Sequence, residues 1–377
     1  MMKINLEKIA KELSPGFEEN AERLDEHDEF AAVNYAALRK HGVFSALVPT
    51  KYGGGGASYS QMCTFVRTIA HVCPSTALSV SMHQHLVTAA VFNDAAGRPG
   101  KKLLEKVAGG NVVLVSTGAN DWLESNGTAV RVDGGYEITT VKPFASGSPD
   151  GDILITSCAY DDPEEGPQVL HFPLSLKSDG ISFMNDWKTV GMRATGSQTL
   201  KLNDVFVPDE AIVLKRPRSG FHPVYGVILG VALPLIMSAY TGVAEAAADI
   251  ARSKAAARPG DPVTPFLVGE MENLLTVVQL AHSDMVRIVN DLHFEPSIEL
   301  ASQMMARKTI CANSVIATCE KAMEAVGGAG FFRGLGLERR LRDAHAGQFH
   351  PLPEKRQQLF TGRLSMGLSP VSEPVRS

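Results

Sequence analysis

Apolar positions recur every three or four residues from Phe30 to Lys40, ending at His41-Gly42, where glycine can take a left-handed cap. The same period returns from Ser58 to Val72 and from Ser75 to Phe92, and after a break at Gly97-Arg-Pro-Gly100 a short helix is expected around Lys101 to Val107. From Asn111 to about Lys215 the period drops to two, in the runs VVLVS, TAVRVD, YEITTV, DILITSCAY, QVLHFPL, ISFM and QTLKLNDVFV. Asp133-Gly134-Gly135, between two alternating runs, reads as a hairpin turn. No helical segment separates these strands, so they are predicted to form an antiparallel barrel or sandwich and not a doubly wound parallel sheet; a Rossmann domain is excluded. After Pro217 the helical period resumes, and Ser297 opens a helix whose stripe Ala301, Met304, Met305, Ala312, Val315 and Ile316 runs on until Gly327-Gly328 stops it. The expected class is α+β, with an N-terminal helical domain over 1–110, a middle antiparallel β domain over 111–216 and a C-terminal four-helix bundle over 217–377.

Composition narrows the function classes. Lys plus Arg number 36 against 41 Asp plus Glu, a net charge of −5, with 44% apolar and 20% charged residues. Such a chain buries a large core and is not disordered, and it offers no basic stripe for nucleic acid. Five widely spaced cysteines with no C-x-x-C pair and no Cys/His cluster predict no metal and fit a reducing cytoplasm. The run Val224 to Tyr240 is interrupted by Gly226, Gly230 and Pro234 and is too short to span a membrane, so a buried helix or helix pair is expected. The first thirty residues are amphipathic and acidic, without the apolar block of a signal peptide.

Local chemistry is sparse. Gly53 to Gly56 lack the strand and the lysine of a phosphate loop and read as a loop before a capped helix. His83 and His85 point about 200° apart on one helix and cannot share a metal; a satisfied histidine is the default for each. The turn Lys142 to Asp152 presents Ser146 and Gly147 at a strand end. The segment Trp187 to Pro208 joins an aromatic, Arg193 and the small hydroxyls Thr195 and Ser197 to a strand, which suits an aromatic, anionic ligand.

The order of the three parts, with VPTKYGG near residue 50, GMRATGS leading into LNDVFVP near 200, VGGAGF at 326–331 and RLRDAH at 340–345, resembles the acyl-CoA dehydrogenase superfamily over nearly the whole chain. The resemblance implies FAD between the middle domain and the terminal bundle of a homodimer or homotetramer. It places Val115, Ser116, Thr117, Phe144, Ala145 and Ser146 at the isoalloxazine ring, with Trp187 and Thr189 on the next approaching strand. Arg258, Glu324, Gly327 and Gly328 would meet a neighbouring subunit's dinucleotide. Two departures matter there: the family's Arg-x-x-Phe-Gly is Arg258-Pro-Gly-Asp-Pro here, and its glutamine before Gly-Gly is Glu324.

A dehydrogenase of this family removes a proton alpha to a thioester carbonyl and needs a carboxylate of raised pKa. Pro351 stands at that glutamate's usual place, and Ala232 near the alternative one. Three readings follow. Placed first is an acyl-thioester dehydrogenase, acting on acyl-CoA or acyl-carrier-protein substrates with Glu354 as a displaced base and an electron-transfer flavoprotein as partner. Close behind is the monooxygenase branch of the superfamily, using His350 and Ser146 with exchangeable reduced FMN or FAD delivered by a flavin reductase. The third is a subunit that kept the fold and lost the chemistry.

Overall fold

The computed structural model describes residues 3–118 and 121–371. The Asn5 side chain caps α1 (Leu6–Glu26), which buries Leu6, Ala10, Leu13, Phe17, Ala21 and Leu24 along one face. After α2 (Ala32–Lys40) the chain turns at Gly42, whose φ of 68° is the left-handed cap expected there. Ser58 and Gln61 form a reciprocal capping box at the start of α3 (Tyr59–Val72). The preceding glycines allow close packing of main chain: a Cβ at Gly54 would lie 2.3 Å from the Val48 carbonyl oxygen. Next come α4 (Pro74–Ala95), buried around most of its circumference, and α5 (Lys101–Gly110).

The middle segment folds into two packed four-stranded sheets. One runs in the order β1 (Leu114–Ser116), β4 (Ile153–Asp162), β5 (Gly166–Ser175), β8 (Leu214–Pro217). The other runs β2 (Thr128–Val132), β3 (Gly135–Ala145), β7 (Gln198–Pro208), β6 (Ile181–Phe183). Between them lie Ile138, Leu154, Phe172, Leu200, Leu202 and Val207, the inward-facing alternate positions of both sheets. The hairpin at Asp133–Gly135 is present, with Gly134 at φ 73°. One pairing departs from the antiparallel expectation: β1 lies parallel to β4, Leu114 opposite Ile153. The chain crosses to the other sheet through β2 and β3 before returning, which supplies the long connection a parallel pair needs.

The run from Val224 is one helix, α6 (Val224–Ala256), extending well past Tyr240, with Pro234 in its interior. Ser238 Oγ donates to the Pro234 carbonyl at 2.8 Å. By length and composition α6 could cross a membrane, yet 94% of its most apolar stretch is buried inside the protein. It packs on α3 and α4, and on α7 (Thr264–Val289), α8 (Ile298–Val326) and α9 (Leu337–His345); α10 (Glu354–Ser365) lies on α8. Buried Arg216 of β8 ties the sheets to α6, donating to the Tyr225 hydroxyl at 2.7 Å and to His171 at 3.0 Å.

A second tie makes a testable statement about stability. Glu245 on α6 accepts bonds from Arg67 and His71 of α3 and from Gln279 of α7. Burial alone would raise its pKa, but those bonds outweigh burial and hold the carboxyl at about 2. A depressed carboxylate contributes stability that is complete above the unfolded-state value near 4.5 and is lost as pH falls toward 2. Acid unfolding of Glu245→Gln is therefore expected to be flatter than wild type below that value, with lower stability at pH 7. Parallel acid-unfolding curves for the two proteins would contradict this role.

Candidate functional site

The segments assigned to the ring by resemblance are held by buried polar contacts. On α4, His83 Nε2 lies 2.8 Å from the Phe44 carbonyl, and its Nδ1 accepts the Leu114 N–H at 2.8 Å. Nε2 therefore carries the proton, the imidazole is neutral, and burial pushes its pKa down to about 4. This satisfied histidine is a strut that fixes β1 at the edge of its sheet. His85 is buried too, and burial pushes its pKa down to about 4. On β1, Val115 is fully buried and, among the described residues, Ser116 Oγ is buried without a hydrogen-bond partner; just past the strand Thr117 Oγ1 donates to Thr156 at 2.7 Å.

The end of β3 is anchored by Lys142, whose Nζ lies 2.5 Å from the Asp121 carboxylate, their side chains 1% and 3% exposed. Two residues on, Phe144 adopts φ 62° and is 46% exposed, an unusual setting for an aromatic. Its ring meets Trp187 edge-on at 6.2 Å, so the predicted aromatic segments converge. Ala145 and Ser146 behind it are buried. Ser146 Oγ lies 2.7 Å from Ser197 Oγ, which lies 2.7 Å from Thr195 Oγ1, which donates to the Met192 carbonyl at 2.9 Å. Thr189 Oγ1 turns away to the Gly191 carbonyl. Asp343 of α9 accepts the Met192 N–H, and a Cβ at Gly191 would collide with the α9 main chain at 2.3 Å. The Trp187–Ser197 segment is thus seated directly on α9.

Beyond α9, His350 Nε2 lies 2.8 Å from the hydroxyl of Tyr240, a residue buried in α6. Burial, followed by the charge of Lys308, pushes the imidazole down to about 3, and burial raises the Tyr240 phenol, so both groups are neutral at pH 7. Lys308 of α8 is 1% exposed and donates to the Leu352 carbonyl at 2.6 Å; burial lowers its pKa to about 8. Glu354 opens α10, where its carboxylate accepts from Lys355 at 2.7 Å, Asn313 at 3.0 Å and Gln358 at 3.1 Å. The bonds from Lys355 and Asn313 hold its pKa below the usual glutamate value, opposite to the direction a base for an alpha proton requires. Among the described residues no hydrogen bond joins His350 or Glu354 to Ser146.

The residues assigned to a neighbour's dinucleotide fall partly together. Gly327 ends α8 at φ 75°, and Arg258 lies beside it, donating to the Ala325 carbonyl. Gly328 follows in an open turn, while the Glu324 carboxylate is paired with Lys321 at 2.6 Å. A charged cavity of about 480 Å³ lies elsewhere, between α1 and α9, with Glu18, Glu22, Arg333, Arg339 and Arg340 in its wall; of the residues singled out in the sequence it takes in Arg193 and none of those assigned to the ring, the dinucleotide or the base. Its mixed charge does not suit an apolar ring, which leaves the aromatic and hydroxyl groups around Phe144 as the candidate site.

Sequence reasoning did not single out Tyr240, Lys308 or the Lys142–Asp121 pair. Lys308 left a readable signal, since it stands four residues from both Met304 and Ala312 on the apolar stripe of α8. A cation at such a position is buried unless the helix rotates.

The N-terminal domain model of acyl-CoA dehydrogenases matches residues 7–111 and the C-terminal domain model residues 235–354. A putative acyl-CoA dehydrogenase, YdbM, of Bacillus subtilis (strain 168) is 29% identical over 368 residues, covering 92% of each chain. The dibenzothiophene monooxygenase of Mycolicibacterium goodii is 27% identical, covering 91% of this chain and 89% of its own. Among solved structures, KijD3 in complex with FMN and a dTDP-linked amino-keto sugar superposes with a TM-score of 0.86 at 22% identity, over 96% of this chain and 93% of that one. Helices, paired sheets and terminal bundle in this order, matched at both ends by the same family's domains, make this chain a member of the acyl-CoA dehydrogenase superfamily, whose relatives here include both dehydrogenases and flavin monooxygenases.

Proposed function

We propose that the protein is a reduced-flavin-dependent monooxygenase acting on a small molecule. This reverses the order in which the resemblance placed the two reactions. The observation that carries it is the contrast between two groups near the end of α9. Glu354 is a partly exposed carboxylate saturated by three donors and held ionised, whereas His350 is a neutral imidazole paired with a buried phenol. Pro351 stands where the resemblance puts the family's base and Ala232 lies near the alternative position, while Asp343, a carboxyl that burial pushes up to about 6, is enclosed beneath α9 and accepts the Met192 N–H.

The residues around Phe144 fit a flavin. An exposed aromatic edge, a half-buried indole and the unpartnered Ser116 hydroxyl offer stacking and polar contacts to a planar heteroaromatic ring. When bound in reduced form, the flavin supplies the two electrons that activate dioxygen. Phe144 and Trp187 flank the ring and exclude water, Val115 to Thr117 and Ala145 border it, and Thr189 helps shape the approaching segment. The neutral His350–Tyr240 pair would give one proton and take one back from solvent, so that it ends as uncharged as it began. A flavin reductase would be the partner that supplies reduced FMN or FAD to these residues.

A second copy of the chain completes the site in this reading. Phe331 and Phe332, 83% and 74% exposed, follow the Gly327–Gly328 turn and suit burial against a partner, which would bring Arg258 and Glu324 to its flavin phosphates. The divisions at 110 and 216 and a cytoplasmic location belong to the same proposal.

The test is stopped-flow mixing of the protein, loaded with chemically reduced FMN, against oxygenated buffer. The return of oxidised-flavin absorbance is expected to lag behind that of free reduced FMN. Equal rates would overturn the reading. Bleaching of FAD-reconstituted protein by octanoyl-CoA under nitrogen would instead favour dehydrogenation.

A further inference from the structure

The cavity between α1 and α9 carries opposite charges in its wall that do not neutralise each other. On α1, Glu18, Glu22 and Glu26 recur every four residues and share one face, where like charges at that spacing repel. The rest of the wall holds Arg333, Arg339 and Arg340. Among the described residues neither set enters an ion pair, whereas the neighbouring Arg342 in the same wall does, meeting Asp25 at 2.6 Å and Glu338 at 2.7 Å.

Arg340 decides what the cavity calls for. It is 9% exposed, and its terminal nitrogens donate to the Gly336 and His71 carbonyls at 3.1 and 3.0 Å, which fixes the side chain and keeps it from swinging to a carboxylate. Its Nε–H and that of the adjacent Arg339 are buried without an acceptor among the described residues. Burial and the Arg339 charge both act against the Arg340 cation. Buried guanidinium donors without an acceptor are costly, and two side by side call for an anion. A space of this volume is roughly 10 Å across, close to the screening length at physiological salt, so an anion seated on the arginines still feels the α1 carboxylates unless it brings a cation of its own. Ile250 and Leu335 add apolar surface to the lining.

We infer that this cavity binds a small aliphatic zwitterion, with its carboxylate on Arg339 and Arg340, its ammonium on the glutamate face of α1, and its methylene chain against Ile250 and Leu335. A guanidinium fork matches a carboxylate in plane, and a row of carboxylates on one helix face matches an ammonium. None of the residues proposed to border the flavin lines the cavity, so the inference stands apart from the placement of the ring. A ligand that bridges α1 and α9 also raises the melting temperature in proportion to its occupancy.

The experiment is calorimetric titration of the full-length protein with 6-aminohexanoate, hexanoate and hexylamine, which share a chain and differ in which ends are charged. Wild type is expected to bind 6-aminohexanoate at least about tenfold more tightly than either, the scale of one charge-assisted hydrogen bond. Arg339→Gln should weaken 6-aminohexanoate by about tenfold and leave hexylamine as it was, and the double variant Glu18→Gln with Glu22→Gln should weaken it equally and leave hexanoate no weaker. These positions are exposed or half-buried and leave the Arg340 contacts in place, so far-ultraviolet circular dichroism is expected to be unchanged. Glycine, whose two charges lie too close together to reach both sets, should bind no more tightly than hexanoate. Hexanoate, hexylamine or glycine binding as tightly as 6-aminohexanoate would overturn the inference. So would the absence of saturable heat with 6-aminohexanoate at millimolar concentration, or an affinity untouched in both variants.

Discussion

Substituting His350→Ala is expected to slow oxygen transfer from protein-bound reduced flavin by about 10²–10⁴-fold, the usual contribution of a positioned proton donor or acceptor. In the stopped-flow trace the lag before oxidised flavin returns should disappear, while the affinity for reduced FMN changes little. Tyr240→Phe should reproduce part of the loss, because it removes the only hydrogen bond that orients the imidazole among the described residues. Glu354→Gln should leave the trace as it is. Burial and the neighbouring Lys308 ammonium hold His350 at about 3, so its own ionisation adds no inflection between about pH 5 and 8. A wild-type lag surviving intact in His350→Ala would remove this residue from the chemistry. Loss of the reaction in Glu354→Gln alone would return attention to the carboxylate.

The largest expected stability effect lies in the middle sheets. Lys142→Met leaves the Asp121 carboxylate buried with no cation, and breaking such a pair costs about 3–5 kcal/mol. The double variant Lys142→Met with Asp121→Leu should recover most of that loss, since replacing both partners by apolar groups removes the stranded charge. Thermal melting of the single and double variants reads the difference directly. A single variant melting with wild type would mean that water reaches the pair. The same pair joins the turn after β1 to the strand leading into Phe144, so reduced-FMN affinity should fall in Lys142→Met and return in the double variant.

Much of this architecture was legible in the chain. Helical period, strand alternation, the Ser58 and Ser297 caps and the Asp133–Gly135 turn are local signals, each read from a few neighbouring residues. The parallel partner of β1 was not legible, since strand alternation says which face is inward and nothing about which distant strand lies alongside. Tyr240 and Lys308 escaped for a similar reason: their partners, His350 and the Leu352 carbonyl, are 110 and 44 residues away. The hydroxyls at 146, 195 and 197 were visible as small polar residues, but their contacts with one another and with the Met192 carbonyl follow only from the fold.

The pairing of Leu114 with Ile153 also bears on biosynthesis. A ribosome must extrude both arms of the β2–β3 hairpin and the start of β4 before β1 has anything to pair with. Until then, the strand proposed to border the flavin stands unpaired. On the proposed placement of the flavin, a truncated translation product ending before β4 would hold its first helices and have no paired β1 to border a cofactor.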